Sequence, residues 1–182
     1  LKRQMIKKDV VNTMQELKKM NINIHMFTGD TKEKATEIAQ QVGIDNINYS
    51  MLPSDKYTYL EEIIKKKTEK SIVSFVGDGI NDAPVLKLSD LGISMGSLGT
   101  DSAIEASDVV IMNDNLEKIV TAINISKKTN KIIKENLIFA LGVKLLVLVL
   151  TLIGLSTMLE AVFADVGVTV LCILNTLRLL KK

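Results

Sequence analysis

Apolar and polar positions follow two periods along the first two thirds of the chain and then give way to a nearly continuous apolar run. Val10, Met14, Leu17 and Met20 recur at helical spacing, so Asp9–Met20 is expected to be a helix, with Lys18 and Lys19 at its end, where the helix dipole favours cations. Asn21–Asn23 breaks that pattern, and Ile22–Phe27 alternates as a strand does. Ala35, Ile38, Ala39 and Val42 mark one face of a second helix, with Asp30 or Thr31 as its cap and Gly43 as its stop. A third helix is expected over Asp55–Lys67, with Leu60, Ile63 and Ile64 inward and Ser54 as cap. Strands follow at Ile72–Val76, Leu91–Met95 and Val109–Met112, separated by short helices after Pro84 and over Asp101–Ala106. From Leu116 a helical pattern runs through Ile119, Ile123 and Ile132 into the apolar tail. Strands alternating with helices imply an α/β domain with a largely parallel sheet.

The tail changes the picture. Leu137–Met158 is 22 residues with one charge, Lys144, and a second apolar stretch covers about Ala161–Leu180 with Asp165 inside it. About 20 apolar residues cross a bilayer, so the pair is expected to be a transmembrane hairpin with its tip near Ser156–Glu160. The net charge of +2 conceals this division: residues 1–136 hold 19 Lys/Arg and 19 Asp/Glu, and residues 137–182 hold only 4 and 2. So weak a net charge gives no field for nucleic acid. The expected divisions are an α/β part over residues 1–126, a basic helical linker over 127–136 and a helical hairpin over 137–182. Lys127, Lys128, Lys131 and Lys134 precede the hairpin, Arg178, Lys181 and Lys182 follow it, and its tip has no lysine or arginine. The positive-inside rule therefore expects both ends, and the α/β part, on the cytoplasmic side of the cell membrane. With one cysteine, Cys172, no internal disulfide can form. The opening at Leu1, not Met, suggests a fragment or a processed product, and two spans make a multi-pass protein the expectation.

Three segments carry candidate chemistry. Val73–Pro84 reads VSFVGDGINDAP, in which a strand runs into Gly77-Asp78-Gly79-Ile80-Asn81-Asp82. Carboxylates at the end of a buried strand suit Mg²⁺, which takes one or two carboxylates together with phosphate and water. Asp78 is the expected Mg²⁺ ligand, Asp82 a direct or water-mediated one, and Asn81 a donor to a phosphate oxygen. Thr28-Gly29-Asp30 ends another strand, and a hydroxyl beside a helix N-terminus can hold a phosphate. Lys56 falls in the first turn of its helix, where a cation is unfavourable unless an anion is near. In the tail, Lys144 and Asp165 are charges inside an apolar span, and such charges mark functional sites by default. Counted from the hairpin ends at about 1.5 Å per residue, Lys144 lies about 12 Å deep and Asp165 about 22 Å, which leaves their contact open.

In that order, Thr28-Gly29-Asp30, Lys56 and Gly77-Asp78-Gly79-Ile80-Asn81-Asp82-Ala83-Pro84 resemble the phosphorylation domain of a P-type ATPase, within the haloacid dehalogenase-like superfamily. The tail, with Ala140-Leu141-Gly142-Val143-Lys144 and Asp165-Val166-Gly167, resembles the last two helices of the zinc/cadmium/lead branch of heavy-metal pumps. The resemblance implies a Rossmannoid haloacid dehalogenase-like domain, incomplete here, followed by an α-helical transmembrane hairpin. It implies the C-terminal part of a cation efflux pump that uses ATP and Mg²⁺, works through an aspartyl phosphate and acts with the remainder of the pump in a lipid bilayer. Thr28 and Lys56 would contact the phosphate, Asp78 and Asp82 would serve Mg²⁺, and Asp165 would meet Zn²⁺, Cd²⁺ or Pb²⁺ with Lys144 as counter-ion. The family's Asp-Lys-Thr-Gly-Thr nucleophile motif and its Cys-Pro-Cys motif are both absent from these 182 residues, so this piece alone is not expected to be phosphorylated. A membrane-anchored phosphatase and a truncated, non-catalytic membrane protein are the alternatives. The first needs an Asp-x-Asp after an apolar strand, which is not evident here.

Overall fold

The computed structural model describes residues 8–77, 82–96, 101–113, 115–155 and 157–180. It divides into two compact units, Leu1–Val120 and Thr121–Lys182.

In the first unit strands and helices alternate, as the periodicity requires. Helix α1 is Lys8–Lys19, strand β1 His25–Phe27, helix α2 Lys32–Val42 and strand β2 Asn46–Asn48. Helix α3 is Pro53–Lys66, strand β3 Ser74–Gly77, helix α4 Ala83–Leu88 and strand β4 Leu91–Met95. Helix α5, Asp101–Glu105, and strand β5, Val109–Ile111, complete the set. All pairing among the described strands is parallel: β1 with β2, and β3–β4–β5 in sequence order. Consecutive parallel strands need a crossover, and here a helix supplies each one. The sequence pattern did not anticipate β2, whose lone apolar residue, Ile47, lies between two asparagines.

Helical spacing marks part of the core, Leu17, Ala35, Ala39, Val42 and Leu60, whereas Val10, Met14, Met20, Ile63 and Ile64 are only half-buried. Leu17, Ala35, Ala39, Val42, Leu60, Val85, Leu86, Ile93 and Ile111 are buried, whereas Ile38, expected inward with Ala35 and Val42, stays 38% exposed. Ser94, fully buried at the centre of β4, is satisfied by the Ser107 hydroxyl at 2.9 Å. Gly43 caps α2 at φ 76°, as expected. At the start of α3 the expectation fails. Leu52, not Ser54, is the N-cap, because Pro53 occupies the first helical position and the Asp55 carboxylate turns back to accept the Leu52 N–H at 2.8 Å.

The second unit is a helical hairpin. Helix α6, which begins at Glu117 and ends at Leu152, runs without a break through the basic 127–136 segment, since no proline or glycine interrupts it there. Helix α7 is Met158–Thr176, extended by a 3₁₀ turn at Leu177–Leu179. The first helix gives way at Gly154 (φ 77°) and the second is capped by Thr157 in a reciprocal pair with Glu160, so the turn comes earlier than the sequence pattern placed it. Both helices are long and apolar enough to cross a membrane.

Candidate functional site

The carboxyl ends of β1 and β3 carry the motifs, which is where open parallel sheets place their ligands. Past β1, Thr28 turns the chain: its hydroxyl accepts the Asp30 N–H at 3.1 Å and lies 3.5 Å from the Asp30 carboxylate. Backbone bonds from Met51 N–H to the Thr28 carbonyl (3.0 Å) and from Ser50 N–H to the Asp30 carbonyl (2.8 Å) fix this turn against the segment after β2. Thr31 is the N-cap of α2 and its hydroxyl takes no helix N–H; the Glu33 carboxylate instead accepts its own backbone N–H and the Thr31 hydroxyl, which holds it below the usual carboxylate range.

Past β3, Gly77 and Asp82 are described, and Asp78, Gly79, Ile80 and Asn81 lie outside the described residues. Asp82 is only 8% exposed, and its Oδ1 receives the Lys56 ammonium at 2.8 Å. This pair joins two segments 26 residues apart and explains a cation in the first turn of α3: the carboxylate offsets the unfavourable dipole. Both side chains are largely removed from water, so either alone would be costly there. A Cβ on Gly77 would stand 3.0 Å from the Asp82 Cβ and 3.1 Å from its Oδ2. Glycine thus keeps the space around that second oxygen clear.

Aromatic packing, which the sequence reading missed, ties the three motif segments together. The Phe27 ring meets Tyr59 edge-on at 5.4 Å and Phe75 at 6.2 Å. Phe27 immediately precedes Thr28, Tyr59 lies one helical turn beyond Lys56, and Phe75 is two residues before Gly77. The signal was an aromatic residue beside each motif. In a chain with only seven Phe and Tyr residues, that coincidence was available to sequence reasoning.

In the hairpin, Lys144 Nζ meets Asp165 Oδ1 at 3.0 Å. The pair lines a cleft of about 440 Å³ with Val147, Thr151, Ala164 and Val168. Cys172 is half-buried, with its thiol 3.8 Å from the Asn136 carbonyl. Among the described residues no cluster of three or more His, Cys, Asp or Glu side chains is found.

Residues 2–90 match the family of haloacid dehalogenase-like hydrolases. The chain is 46% identical over 177 residues to a zinc-transporting ATPase of Synechocystis sp., covering 97% of this chain and 24% of that protein. It is 44% identical to a cadmium, zinc and cobalt-transporting ATPase of Bacillus subtilis, covering 97% of this chain and 25% of that one. The solved structure of a zinc-transporting PIB-type ATPase in an E2.Pi state superposes with a TM-score of 0.88 at 36% identity, over 97% of this chain and 28% of that structure. The chain therefore spans about a quarter of the length of the relatives it matches. Over nearly its whole length it is homologous to a portion of the zinc- and cadmium-transporting P-type ATPases, membrane enzymes, and that portion joins a haloacid dehalogenase-like domain to two apolar helices.

Proposed function

We propose that this chain is the phosphate-handling half-site and the final helical hairpin of an ATP-driven pump for Zn²⁺ or Cd²⁺. The observation that carries the reading is the Lys144–Asp165 pair, a carboxylate and an ammonium 3.0 Å apart on two helices long enough to span a bilayer. A carboxylate in that setting is expensive unless something cationic meets it. Lys144 meets it here, and an incoming divalent ion can displace the ammonium. The hard oxygen ligand does not rank Zn²⁺ against Cd²⁺ or Pb²⁺.

The α/β unit supplies the other half. The Thr28 hydroxyl and the N-terminus of α2 close behind it suit the oxygens of a phosphoryl group. Lys56 holds the Asp82 carboxylate at the carboxyl end of β3. Asp82 with Asp78 would hold Mg²⁺, and the fit is favourable: Asp82 offers a hard oxygen, and only a glycine at position 77 leaves its Oδ2 uncrowded. When bound, Mg²⁺ neutralises charge on phosphate oxygens. Asn81 is assigned to donate to a phosphate oxygen, and Gly29 and Asp30 to shape the Thr28 turn. The phosphorylated aspartate belongs to the remainder of the pump. The lysines of α6 support a reading in which the α/β unit lies on the cytoplasmic side of a multi-pass protein in the cell membrane.

Transport by the full-length pump reconstituted in vesicles tests this. Asp165→Ala is expected to abolish ATP-driven Zn²⁺ and Cd²⁺ uptake while membrane abundance stays normal. Uptake at the parent rate would move the cation site elsewhere.

A further inference from the structure

Antiparallel helices in lipid need something to set their register. Apolar contact does not select one, because lipid tails solvate the same side chains equally well. In the unit Thr121–Lys182 only Ile132 and Val168 are buried hydrophobics among the described residues. Close backbone approach does not set it either: a Cβ added at Gly142 or Gly167 would meet nothing within 4 Å. What joins α6 to α7 is polar. The Asn136 carboxamide donates to the Cys172 carbonyl and to the Thr176 hydroxyl, both at 3.1 Å, and accepts from Asn175 Nδ2 at 2.8 Å. Arg178 donates to the Asn175 carboxamide at 2.8 Å and to the Glu135 carboxylate at 2.9 Å.

We infer that Glu135, Asn136, Asn175 and Arg178 form a polar clasp that sets the register of α6 against α7 and so positions Asp165 for its cation; this rests on reading the Lys144–Asp165 pair as the cation site. The arithmetic supports it. Lys144 is eight residues beyond Asn136 and Asp165 seven residues before Cys172, so at about 1.5 Å per residue both lie two turns from the clasp, level to within about 1.5 Å. Counting from the hairpin ends put them about 10 Å apart in depth, because the helices are registered at Asn136–Cys172 and not at their ends. A slip of one turn, about 5.4 Å, would break the 3.0 Å contact. Asn136 is the hub. The Glu135–Arg178 ion pair is more exposed and adds less alone.

The experiment measures Zn²⁺-stimulated ATP hydrolysis by the full-length pump in vesicles. Asn136→Leu is expected to raise the KM for Zn²⁺ about tenfold, with kcat within about twofold, the upper range for a hydrogen-bonded contact between membrane helices. Arg178→Glu is expected to raise it about threefold, and the exchange Glu135→Arg with Arg178→Glu to restore it. A clasp that merely holds the protein together would lower Tm and membrane abundance and leave KM unchanged; that result, or failure of the exchange to restore KM, overturns the inference. Asp165→Ala, measured in parallel, separates the two readings. Transport that survives it overturns the cation site itself, whereas transport lost there with an unmoved KM in Asn136→Leu overturns the clasp alone.

Discussion

Lys56 shows how far one residue can be read and where reading stops. Its position in the first turn of α3 implies a nearby anion, and the chain supplies one in Asp82 at 2.8 Å. The implication came from helix electrostatics, but the partner's identity came from the crossover that returns the chain to β3, which no local pattern encodes. Lys56→Ala would leave the Asp82 carboxylate buried without its cation and remove a charge from the phosphate half-site. In the full-length pump we expect ATP hydrolysis to fall by about a hundredfold or more. Lys56→Arg should recover little of it, since a planar fork replaces a compact ammonium in a confined place. Steady-state rates at saturating Zn²⁺ check both variants, and near-parent activity in Lys56→Ala would make the pair merely structural.

At the scale of elements, the long periodic segments were legible and the short polar ones were not. Helices α1, α2 and α3 follow from apolar spacing, and Leu91–Met95 falls where its apolar run predicts. Strand β2 escaped because Asn46-Ile47-Asn48 has neither alternation nor β-branched density, and parallel pairing with β1 alone makes it a strand. Two contacts around β4 carry consequences. A Cβ on Gly92 would stand 2.7 Å from the Leu86 carbonyl oxygen, in the backbone of α4. Gly92→Ala should therefore destabilise the α/β unit by about 1–3 kcal/mol, measured as a lowered Tm of the full-length protein. The other is Asp90, which accepts from the Lys67 ammonium and from the Val73 N–H at 2.8 Å, stapling the end of α3 to the entry of β3. Those bonds, the Lys67 contact first, hold its carboxyl below the ordinary 3.8. The unfolded chain then binds the proton more readily than the folded one. The contribution is complete above the unfolded value and disappears as pH falls through the lowered folded one. Asp90→Asn should flatten that acid-side loss in a Tm-versus-pH series, and a series parallel to the parent's would show that the staple carries no such linkage.

Across the whole molecule, the sequence marked the apolar hairpin and its two charges but not their register, which depends on cross-helix amide bonds between residues some 40 positions apart. The side of the membrane on which each end lies is a different matter, argued from charge alone. Lys127, Lys128, Lys131 and Lys134 lie before the apolar part of α6, whereas residues 153–157 at the tip carry no charge at all. Translocating four ammonium groups is far less favourable than translocating a neutral turn, so the tip should face outward and the lysines inward. Leu155 lies beyond the end of α6 at Leu152 and before α7 begins at Met158, which makes it the position to label. Leu155→Cys in the full-length pump should react in intact cells with a membrane-impermeant maleimide, above the parent's background. Lys131→Cys should react only after the membrane is opened. The reverse pattern would place the α/β unit outside the cell, away from ATP, and no ATP-driven cycle could then run through Lys56 and Asp82.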